Sequence, residues 1–179
     1  MKIKRLFIFV AIFLAAVVSS QAQNAPDQTK DLDSLYAQKL LKPGTVAPDF
    51  ILPMMNNYKV QLSEFKGKYV LLDFWATWCP DCRKDMPAVK ELYEKYGSKV
   101  EFIGVSFDVD HNRWTKYVVD NGMKWRQVSE LKKMRDAEIS KAYGVEWIPS
   151  MTLIGPDGKV VLSTVVLERM AKALADIAK

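Results

Sequence analysis

The sequence predicts an α/β fold, because apolar runs typical of buried strands alternate with segments of helical periodicity. Residues 69–75 and 100–107 are almost continuously apolar, as expected for strands buried on both faces of a parallel sheet. A segment of helical character, 83–96, lies between them. Near the C-terminus, Gly155-Pro156-Asp157-Gly158 is a strong turn signal and predicts an antiparallel hairpin. The chain has 179 residues, of which 49% are hydrophobic, which is enough for one well-formed core.

The other elements follow in order along the chain. At 31–41, leucine and tyrosine recur at helical spacing, so a short docked helix or a tether is expected, and Pro43-Gly44 ends it. A short hairpin with strands at 50–52 and 59–62 is expected around Asn56-Asn57. The elements expected after it are a strand at 69–75, a helix at 83–96 that contains Pro87 and ends at Gly97, a strand at 100–107, a helix from Asp110 to about Gly122, a strand at 125–128, a helix at 131–143, strands at 150–154 and 159–163, and a helix at 166–178.

The N-terminus has the features of an export signal. Three basic residues precede an unbroken apolar run at 6–18, and Ser20-Gln21-Ala22 is a cleavage signal of the small-x-small type. The run is shorter than the roughly 20 residues that a membrane span needs, so cleavage is expected and an uncleaved membrane anchor is the alternative. The predicted organisation is a signal peptide at 1–22, a linker or short helix at 23–43 and one folded domain at 44–179.

The charge of the chain does not indicate nucleic-acid binding. The formal net charge is +5, and removal of residues 1–22 takes away three basic and no acidic residues, which leaves +2. Elsewhere lysines alternate with acidic residues along the predicted helices, which is the ordinary pattern of a solvated helix face. A basic patch that would attract a phosphate backbone is therefore not predicted.

The two cysteines of the chain lie close together, in Trp78-Cys79-Pro80-Asp81-Cys82. An exported protein can hold a disulfide, so its compartment suits redox chemistry. The pair lies where a buried strand leads into a helix, which makes Cys79 a plausible N-cap and Pro80 the first helical residue. Free amides of the first turn and the helix dipole would stabilise a Cys79 thiolate. Cys79 is therefore expected to be the exposed attacking cysteine, and the buried Cys82 to resolve the mixed disulfide.

Two other interpretations of the cysteine pair are weaker. A structural disulfide between such close positions would constrain very little chain. A structural zinc site needs four nitrogen or sulfur ligands, and the one histidine of the chain is His111, beside Asp110 at a predicted helix start. We expect His111 to be a solvated surface residue, and no metal site is predicted.

Several motifs together resemble one family. The run from Asp73 to Cys82 resembles the active-site segment of thioredoxins. The wider chain, about 42–179, is identified as a member of the thioredoxin-like family and is similar to its exported TlpA/ResA-type branch, which is related to the AhpC/TSA redoxins. The motifs that carry this resemblance are Ala47-Pro48-Asp49-Phe50, the segment Leu62-Ser63-Glu64-Phe65-Lys66-Gly67-Lys68, the acidic Asp85 with Pro87 after the second cysteine, and Ile148-Pro149, which corresponds to a cis-proline opposite the cysteines.

The resemblance implies both a fold and an activity. The implied fold is a thioredoxin fold with an N-terminal β-hairpin extension and a central αβ insertion. The implied activity is that of a protein-disulfide oxidoreductase, in which a CxxC pair is the redox-active centre of a periplasmic or otherwise extracytoplasmic enzyme of redox homeostasis. Exported proteins with disulfides, apocytochromes among them, would be its partners, and a membrane thiol reductant would reset the pair. No metal or organic cofactor is implied.

Two aspartates are further candidates for the site. Asp73 lies within the apolar strand, where burying a charge is costly, and the matching thioredoxin residue implies a buried proton acceptor below the disulfide. The alternative is an aspartate at a strand edge that reaches water. Asp85 matches a glutamate of the ResA-like branch but is one methylene shorter. Two roles for Asp85 are therefore open, as a residue of the site or as an ordinary residue of the helix surface.

The remaining candidates shape the site or influence its reduction potential. Trp78 is expected to shield one side of the Cys79 sulfur and to offer apolar contact to partners, the alternative being a simple rim position. A cis Pro149 would place the backbone of Ile148 beside the cysteines, where a partner chain can add as a strand, and a trans proline opening an edge strand is the alternative. Asp81 takes the place of the histidine in the oxidase-type Cys-Pro-His-Cys loop, so its charge disfavours a thiolate and predicts a reductase.

Two other functions remain as alternatives. A peroxidase is considered because the Ala-Pro-Asp-Phe opening also occurs in peroxiredoxins. Those proteins need a Pro-x-x-x-Thr/Ser-x-x-Cys loop, and here Leu72 and Ala76 occupy the proline and hydroxyl positions relative to Cys79. A non-catalytic binding module with this fold is the third hypothesis, and the intact CxxC pair argues against it.

Overall fold

A five-stranded mixed sheet forms the centre of the computed structural model, which describes residues 29–179. The predicted signal peptide at 1–22 and the first part of the predicted linker lie outside the described residues. Among the residues described, no helix is both long enough and apolar enough to cross a membrane.

The elements alternate as the sequence predicts. In chain order they are α1 (Thr29–Tyr36), β1 (Ile51–Pro53), β2 (Lys59–Gln61), a 3-10 turn (Leu62–Phe65), β3 (Tyr69–Trp75), α2 (Pro80–Tyr96), β4 (Val100–Ser106), α3 (His111–Asp120), β5 (Arg126–Ser129), α4 (Glu138–Tyr143), β6 (Ser150–Ile154), β7 (Val160–Thr164) and α5 (Leu167–Ile177). The sheet order is β5-β4-β3-β6-β7, with β3, β4 and β5 parallel and β6 and β7 antiparallel to their neighbours. This is the predicted thioredoxin fold, with β1 and β2 as the N-terminal hairpin and α3 and β5 as the central insertion.

β3 is the central strand, and its apolar sequence is explained by burial on both faces. Only its first residue, Tyr69, is partly exposed. At its C-terminal end Trp75 lies opposite Ser106 of β4, and Phe74 lies opposite Ser150 of β6. Trp75 also donates its indole N–H to the side chain of Gln127 on β5, at 3.1 Å. The end of β3, where the cysteine turn begins, is therefore held by strands on both sides.

α1 is docked on the domain by a partly buried polar contact. The carboxylate of Asp33 accepts hydrogen bonds from the Thr164 hydroxyl and from the Val165 backbone N–H, each at 2.8 Å, and forms an ion pair with Arg169. Ala37 and Leu40, which follow the helix, are buried in the main core. The segment from Asp33 to Leu40 is therefore packed against the rest of the domain.

The predicted helix at 131–143 is wrong in its first half. α4 starts only at Glu138, because the preceding residues form a turn that side chains stabilise. Leu131 has a positive φ of 53°, and its N–H donates to the Ser129 hydroxyl at 2.9 Å. The Glu130 carboxylate accepts the N–H of Ile139 at 2.9 Å and so serves the first turn of α4. Capping by residues outside the helix overrides the helical propensity of 131–137.

The expectation of a solvated His111 is also wrong. Its Nε2 lies 3.0 Å from the Met55 carbonyl oxygen, and its ring meets Trp114 edge-on with 5.8 Å between ring centroids. His111 therefore joins the start of α3 to the N-terminal hairpin. Asp110, in contrast, caps α3 as predicted, because its carboxylate accepts the N–H of Arg113 at 3.1 Å.

Gly144 provides a test of the packing between α4 and the segment after α1. It ends α4 with a φ of 68°, and a Cβ added there would lie 1.8 Å from the Lys39 carbonyl oxygen. Gly158 has a similar φ of 77° but no atom within 4 Å of an added Cβ. We expect Gly158→Ala to cost only the backbone strain, about 1–2 kcal/mol, and Gly144→Ala to cost on the order of 4 kcal/mol. Urea unfolding of the oxidised variants measures both, and equal losses would contradict the clash.

Candidate active site

The cysteine pair lies at the junction of β3 and α2. Cys79 is the N-cap of α2 and Pro80 its first residue, as predicted. The two cysteines form a disulfide with 5.3 Å between their Cα atoms. The Cys79 sulfur accepts the backbone N–H of Cys82 at 3.1 Å. The first turn of the helix therefore presents one free donor, the Cys82 N–H, to the Cys79 sulfur, as the CxxC spacing indicates.

The expected difference in exposure between the cysteines is absent in the oxidised form. Cys79 is 4% and Cys82 is 3% exposed, so the prediction of an exposed Cys79 is wrong for the disulfide state. The reason is the segment opposite, because the Cys79 sulfur lies 3.7 Å from the Ile148 carbonyl oxygen. The residues around the pair reach solvent instead, with Pro80 and Asp81 exposed and Trp78 49% exposed.

The peptide bond between Ile148 and Pro149 is cis, in agreement with the family motif, and a trans proline is excluded. Ile148 is buried and precedes β6, which begins at Ser150, so its backbone lies outside the sheet. The contact with Cys79 places this backbone beside the disulfide. This is the arrangement in which a partner chain could add as a strand next to the reacting sulfur.

A buried carboxylate, Asp108, holds the turn that carries the cysteines. Asp108 is 2% exposed and accepts the backbone N–H of Thr77 at 2.9 Å and the Thr77 hydroxyl at 2.5 Å. It also accepts the Ser106 hydroxyl at 2.7 Å. The sequence analysis missed Asp108. The available signal was its position directly after the apolar run of β4, at the same sheet edge as the cysteine turn.

Asp73 is buried in β3, six positions before Cys79. It is 3% exposed, and within the described part of the chain its Oδ2 has no hydrogen-bond partner. Burial raises the pKa of Asp73 to about 7, and the negative charge of Asp85 adds to this. The alternative of an aspartate that reaches water is therefore wrong. A carboxyl group with this pKa can take up or release a proton near neutral pH.

Asp85 is half-buried on α2, so it is neither fully buried in the site nor fully exposed on the helix surface. Its pKa is raised by burial first and then by the negative charge of Glu168; Lys84 opposes this rise and Asp81 adds to it. It is close enough to Asp73 to raise the pKa of that group. Asp85 is thus electrostatically coupled to the buried aspartate, and it is not a simple surface residue.

A groove runs beside the disulfide, between α1 and the cis-proline segment. Its volume is about 380 Å³. Its lining includes Tyr36, Trp147, Pro149, Asp81, Asp85 and Glu168. Tyr36 and Trp147 were not among the sequence candidates, because no local motif brings them together. In residues 29–179, no group of three or more histidine, cysteine, aspartate or glutamate side chains is arranged to hold a metal ion.

The buried Asp73 makes the stability of the oxidised protein depend on pH. Its pKa is about 7 in the folded protein and near the ordinary 3.8 when unfolded, so this contribution is full below about pH 4. It is lost as the pH rises, because the unfolded chain ionises first, and it levels off above about pH 7. The loss amounts to about 4 kcal/mol, since one pH unit corresponds to about 1.4 kcal/mol.

We therefore expect Asp73→Asn to gain stability relative to the wild type between about pH 4 and pH 8, by up to about 4 kcal/mol. Urea unfolding of both oxidised proteins at the two pH values measures the difference. Asp136→Asn, an exposed aspartate, is the control and should show no such change. A difference between Asp73→Asn and wild type that is independent of pH would contradict the raised pKa.

The chain is similar to proteins of known family. Residues 42–177 match the Redoxin family. The thiol-disulfide oxidoreductase ResA of Bacillus thuringiensis subsp. konkukian (strain 97-27) is 37% identical over 125 residues, which are 69% of this chain and 70% of that protein. The ResA of Oceanobacillus iheyensis is 32% identical over 185 residues, or 96% of this chain and 89% of the relative.

A solved structure gives the same result. The thioredoxin domain of a thiol-disulfide oxidoreductase from Bacteroides vulgatus superposes with a TM-score of 0.70 at 29% identity, over 78% of this chain and 99% of that domain. The chain therefore belongs to the Redoxin family, and within it to the thioredoxin-like, TlpA/ResA-type protein-disulfide oxidoreductases.

Proposed function

We propose that this oxidoreductase acts as a reductase of disulfides in exported proteins, and that Cys79 is its attacking residue. The observation that carries the proposal is the acidic surround of the cysteine turn. Asp81 lies within the turn, and Asp85 follows on α2, close enough to Asp73 to raise the pKa of that group. None of the three forms an ion pair within residues 29–179. Negative charge near the sulfurs disfavours thiolates. A couple whose reduced form is less stabilised is the more reducing one.

The reaction begins with the reduced protein. The Cys79 thiolate attacks one sulfur of a client disulfide, which forms a mixed disulfide and releases the other client sulfur as a thiolate. The Cys82 thiol then loses its proton to the Asp73 carboxylate and attacks the Cys79 sulfur. The client leaves with two thiols, and the protein retains the Cys79–Cys82 disulfide. A membrane thiol reductant returns two electrons and two protons to the pair.

The geometry supports these roles. The Cys79 sulfur accepts the N–H of Cys82 at the start of α2, a donor that would stabilise a thiolate after reduction. The same sulfur faces the Ile148 carbonyl oxygen, on the side where a client chain could bind. Asp73 is buried with a pKa of about 7, which suits a group that exchanges a proton with a thiol near neutral pH. Trp78, Pro80 and Pro149 complete the surface around the pair.

We place the protein outside the cytoplasm, as residues 1–22 have the pattern of a cleaved signal peptide, with an uncleaved anchor as the alternative. Residues 23–43 would then connect the signal to the folded domain at 44–179. Exported proteins with cysteine pairs are the client class, and apocytochromes are one group within it.

An insulin-reduction assay with dithiothreitol tests the function, run beside a peroxide-consumption assay. A reductase accelerates insulin precipitation and does not consume peroxide. The reverse result would favour the peroxiredoxin-like alternative, and no activity in either assay would favour a non-catalytic binding module.

The roles of the cysteines lead to a trapping prediction. Cys82→Ser leaves Cys79 free to form mixed disulfides that nothing resolves, so this variant should accumulate covalent complexes with oxidised client proteins. Cys79→Ser should accumulate none. Non-reducing electrophoresis of the two variants after incubation with oxidised clients measures the difference, and equal trapping would contradict the assignment.

The role of Asp81 leads to a prediction about the reduction potential. Asp81→His replaces a negative charge by a positive or neutral group, which favours the Cys79 thiolate. An exposed charge interaction is worth about 1 kcal/mol, which for a two-electron couple corresponds to roughly 20 mV. We expect Asp81→His to raise the potential by a few tens of millivolts, as measured by equilibration with glutathione.

Asp136→His is the control for the potential, because Asp136 is exposed and belongs to the turn before α4. Its potential should match that of the wild type. A wild-type couple as oxidising as a dedicated disulfide-forming oxidase, or an unmoved potential in Asp81→His, would overturn the proposed direction.

A further inference from the structure

The groove beside the disulfide has an aromatic wall. Tyr36 of α1 and Trp147 stack with 4.3 Å between ring centroids and 24° between ring planes. Tyr36 is 38% and Trp147 is 42% exposed, so the stacked rings still present apolar surface to solvent. The wall adjoins Pro149, which lines the same groove. We call this feature the aromatic–acidic groove, lined by Tyr36, Trp147, Pro149, Asp81, Asp85 and Glu168.

The groove also carries negative charge that no ion pair within residues 29–179 neutralises. Asp81, Asp85 and Glu168 all line it, and none has an ion-pair or hydrogen-bond partner within the described residues. Lys84 is the one basic residue of the lining. Burial raises the pKa of Asp85, and the negative charges of Glu168 and Asp81 raise it further, against the opposing effect of Lys84. Glu168 and Asp81 are therefore each close enough to Asp85 to repel its carboxylate. A cation from outside the protein would relieve this repulsion.

The position of the aromatic wall depends on α1. Asp33 holds this helix against the end of β7 and the start of α5, through contacts with Thr164, Val165 and Arg169. The same helix supplies Leu32 and Tyr36 to the groove. Asp33 is therefore a positioning residue for the wall, and it does not line the groove itself.

We propose that the aromatic–acidic groove binds the client chain next to its reacting cysteine and selects clients with arginine or lysine at that place. The inference rests on the proposed function. The methylene stem of such a residue packs on Trp147 and Tyr36, and its cationic end meets the three carboxylates. The groove is continuous with the reacting centre, because Pro149 lines it and the preceding Ile148 oxygen lies 3.7 Å from the Cys79 sulfur. A chain bonded to Cys79 therefore enters the groove with the residues beside its own cysteine.

Three peptides test the selection. Each contains one internal disulfide and an otherwise identical sequence, with arginine, norleucine or glutamate on both sides of the reacting cysteine. The protein is reduced, freed from reductant and mixed with each peptide, so that its two thiols supply two electrons and two protons to the peptide disulfide. The second-order rate is followed by tryptophan fluorescence. The rate with dithiothreitol, a neutral thiol, is measured for each peptide and divided out, because flanking charge alters the reactivity of the disulfide itself.

We expect the arginine peptide to be reduced about tenfold faster than the glutamate peptide, with the norleucine peptide between them. Added salt should shrink this ratio, since the charges are partly exposed. Glu168→Gln should lower the ratio about threefold, whereas Glu91→Gln, an equal change of charge on an exposed part of α2, should leave it unchanged. Trp147→Ala and Asp33→Ala should both slow reduction of the arginine and norleucine peptides relative to the glutamate peptide.

Failure of this inference is distinguishable from failure of the proposed function. Equal corrected rates for the three peptides, or equal ratios in Glu168→Gln and Glu91→Gln, would overturn the selection while leaving the reductase intact. If none of the peptides is reduced, the proposed function fails. The groove is then tested by calorimetric binding of the same peptides, with serine in place of cysteine, to the oxidised protein. Tighter binding of the arginine peptide supports the groove, and equal affinities overturn it.

Discussion

The pairing of β3 with a strand on each edge determines where the active-site groups lie. Parallel pairing with β4 brings Ser106 and the following Asp108 to the turn that leads to Cys79. Antiparallel pairing with β6 brings Ile148, just before that strand, to the other side of the same turn. Both contacts require β3 to be buried on both faces, which its apolar sequence provides. A shift of register in either pairing would separate the cysteine turn from its support or from the cis-proline segment.

The same strand contains a residue that is costly to bury, Asp73. Asp73 lies within β3 between apolar neighbours, where it lowers stability near neutral pH in the oxidised protein. Asp108, in contrast, is equally buried but accepts three hydrogen bonds at the turn. The two aspartates show two uses of a buried carboxylate. One is fully satisfied and supports the backbone, while the other has no hydrogen-bond partner for its Oδ2 among residues 29–179 and titrates near neutrality.

Much of the fold and part of the site could be predicted from local sequence. The strand at 69–75, the capping of α2 by Cys79 and the α/β order follow from periodicity and from turn and cap chemistry over a few residues. The burial of Asp73 could be predicted because its neighbours in the strand are apolar. A helix at 131–137 was predicted wrongly because helical propensity does not take side-chain bonds to the backbone into account. Ser129 stabilises a turn at Leu131, and Glu130 binds the N–H of Ile139 in the first turn of α4.

The parts that sequence reasoning missed depend on contacts between distant residues. Asp108 and Thr77 are 31 positions apart, and the stacking of Tyr36 on Trp147 joins the first described helix to the segment before β6. No periodicity or motif reports such pairs, since they arise only when the sheet closes. The exposure of Cys79 was mispredicted for the same reason, because the carbonyl group beside its sulfur belongs to Ile148, 69 positions away, in the segment before β6.

The burial of both sulfurs has a consequence for how the protein communicates with its surroundings. Thiol exchange needs a thiolate to reach a sulfur along the axis of the disulfide, and 4% and 3% exposure leave little room for a small molecule to do so. We therefore expect low-molecular-weight thiols to reduce the disulfide slowly, so equilibration with glutathione requires long incubation. A partner that binds beside Ile148 can bring its own thiolate directly to the disulfide, so the choice of electron donor depends on the shape of the partner as well as on its reduction potential.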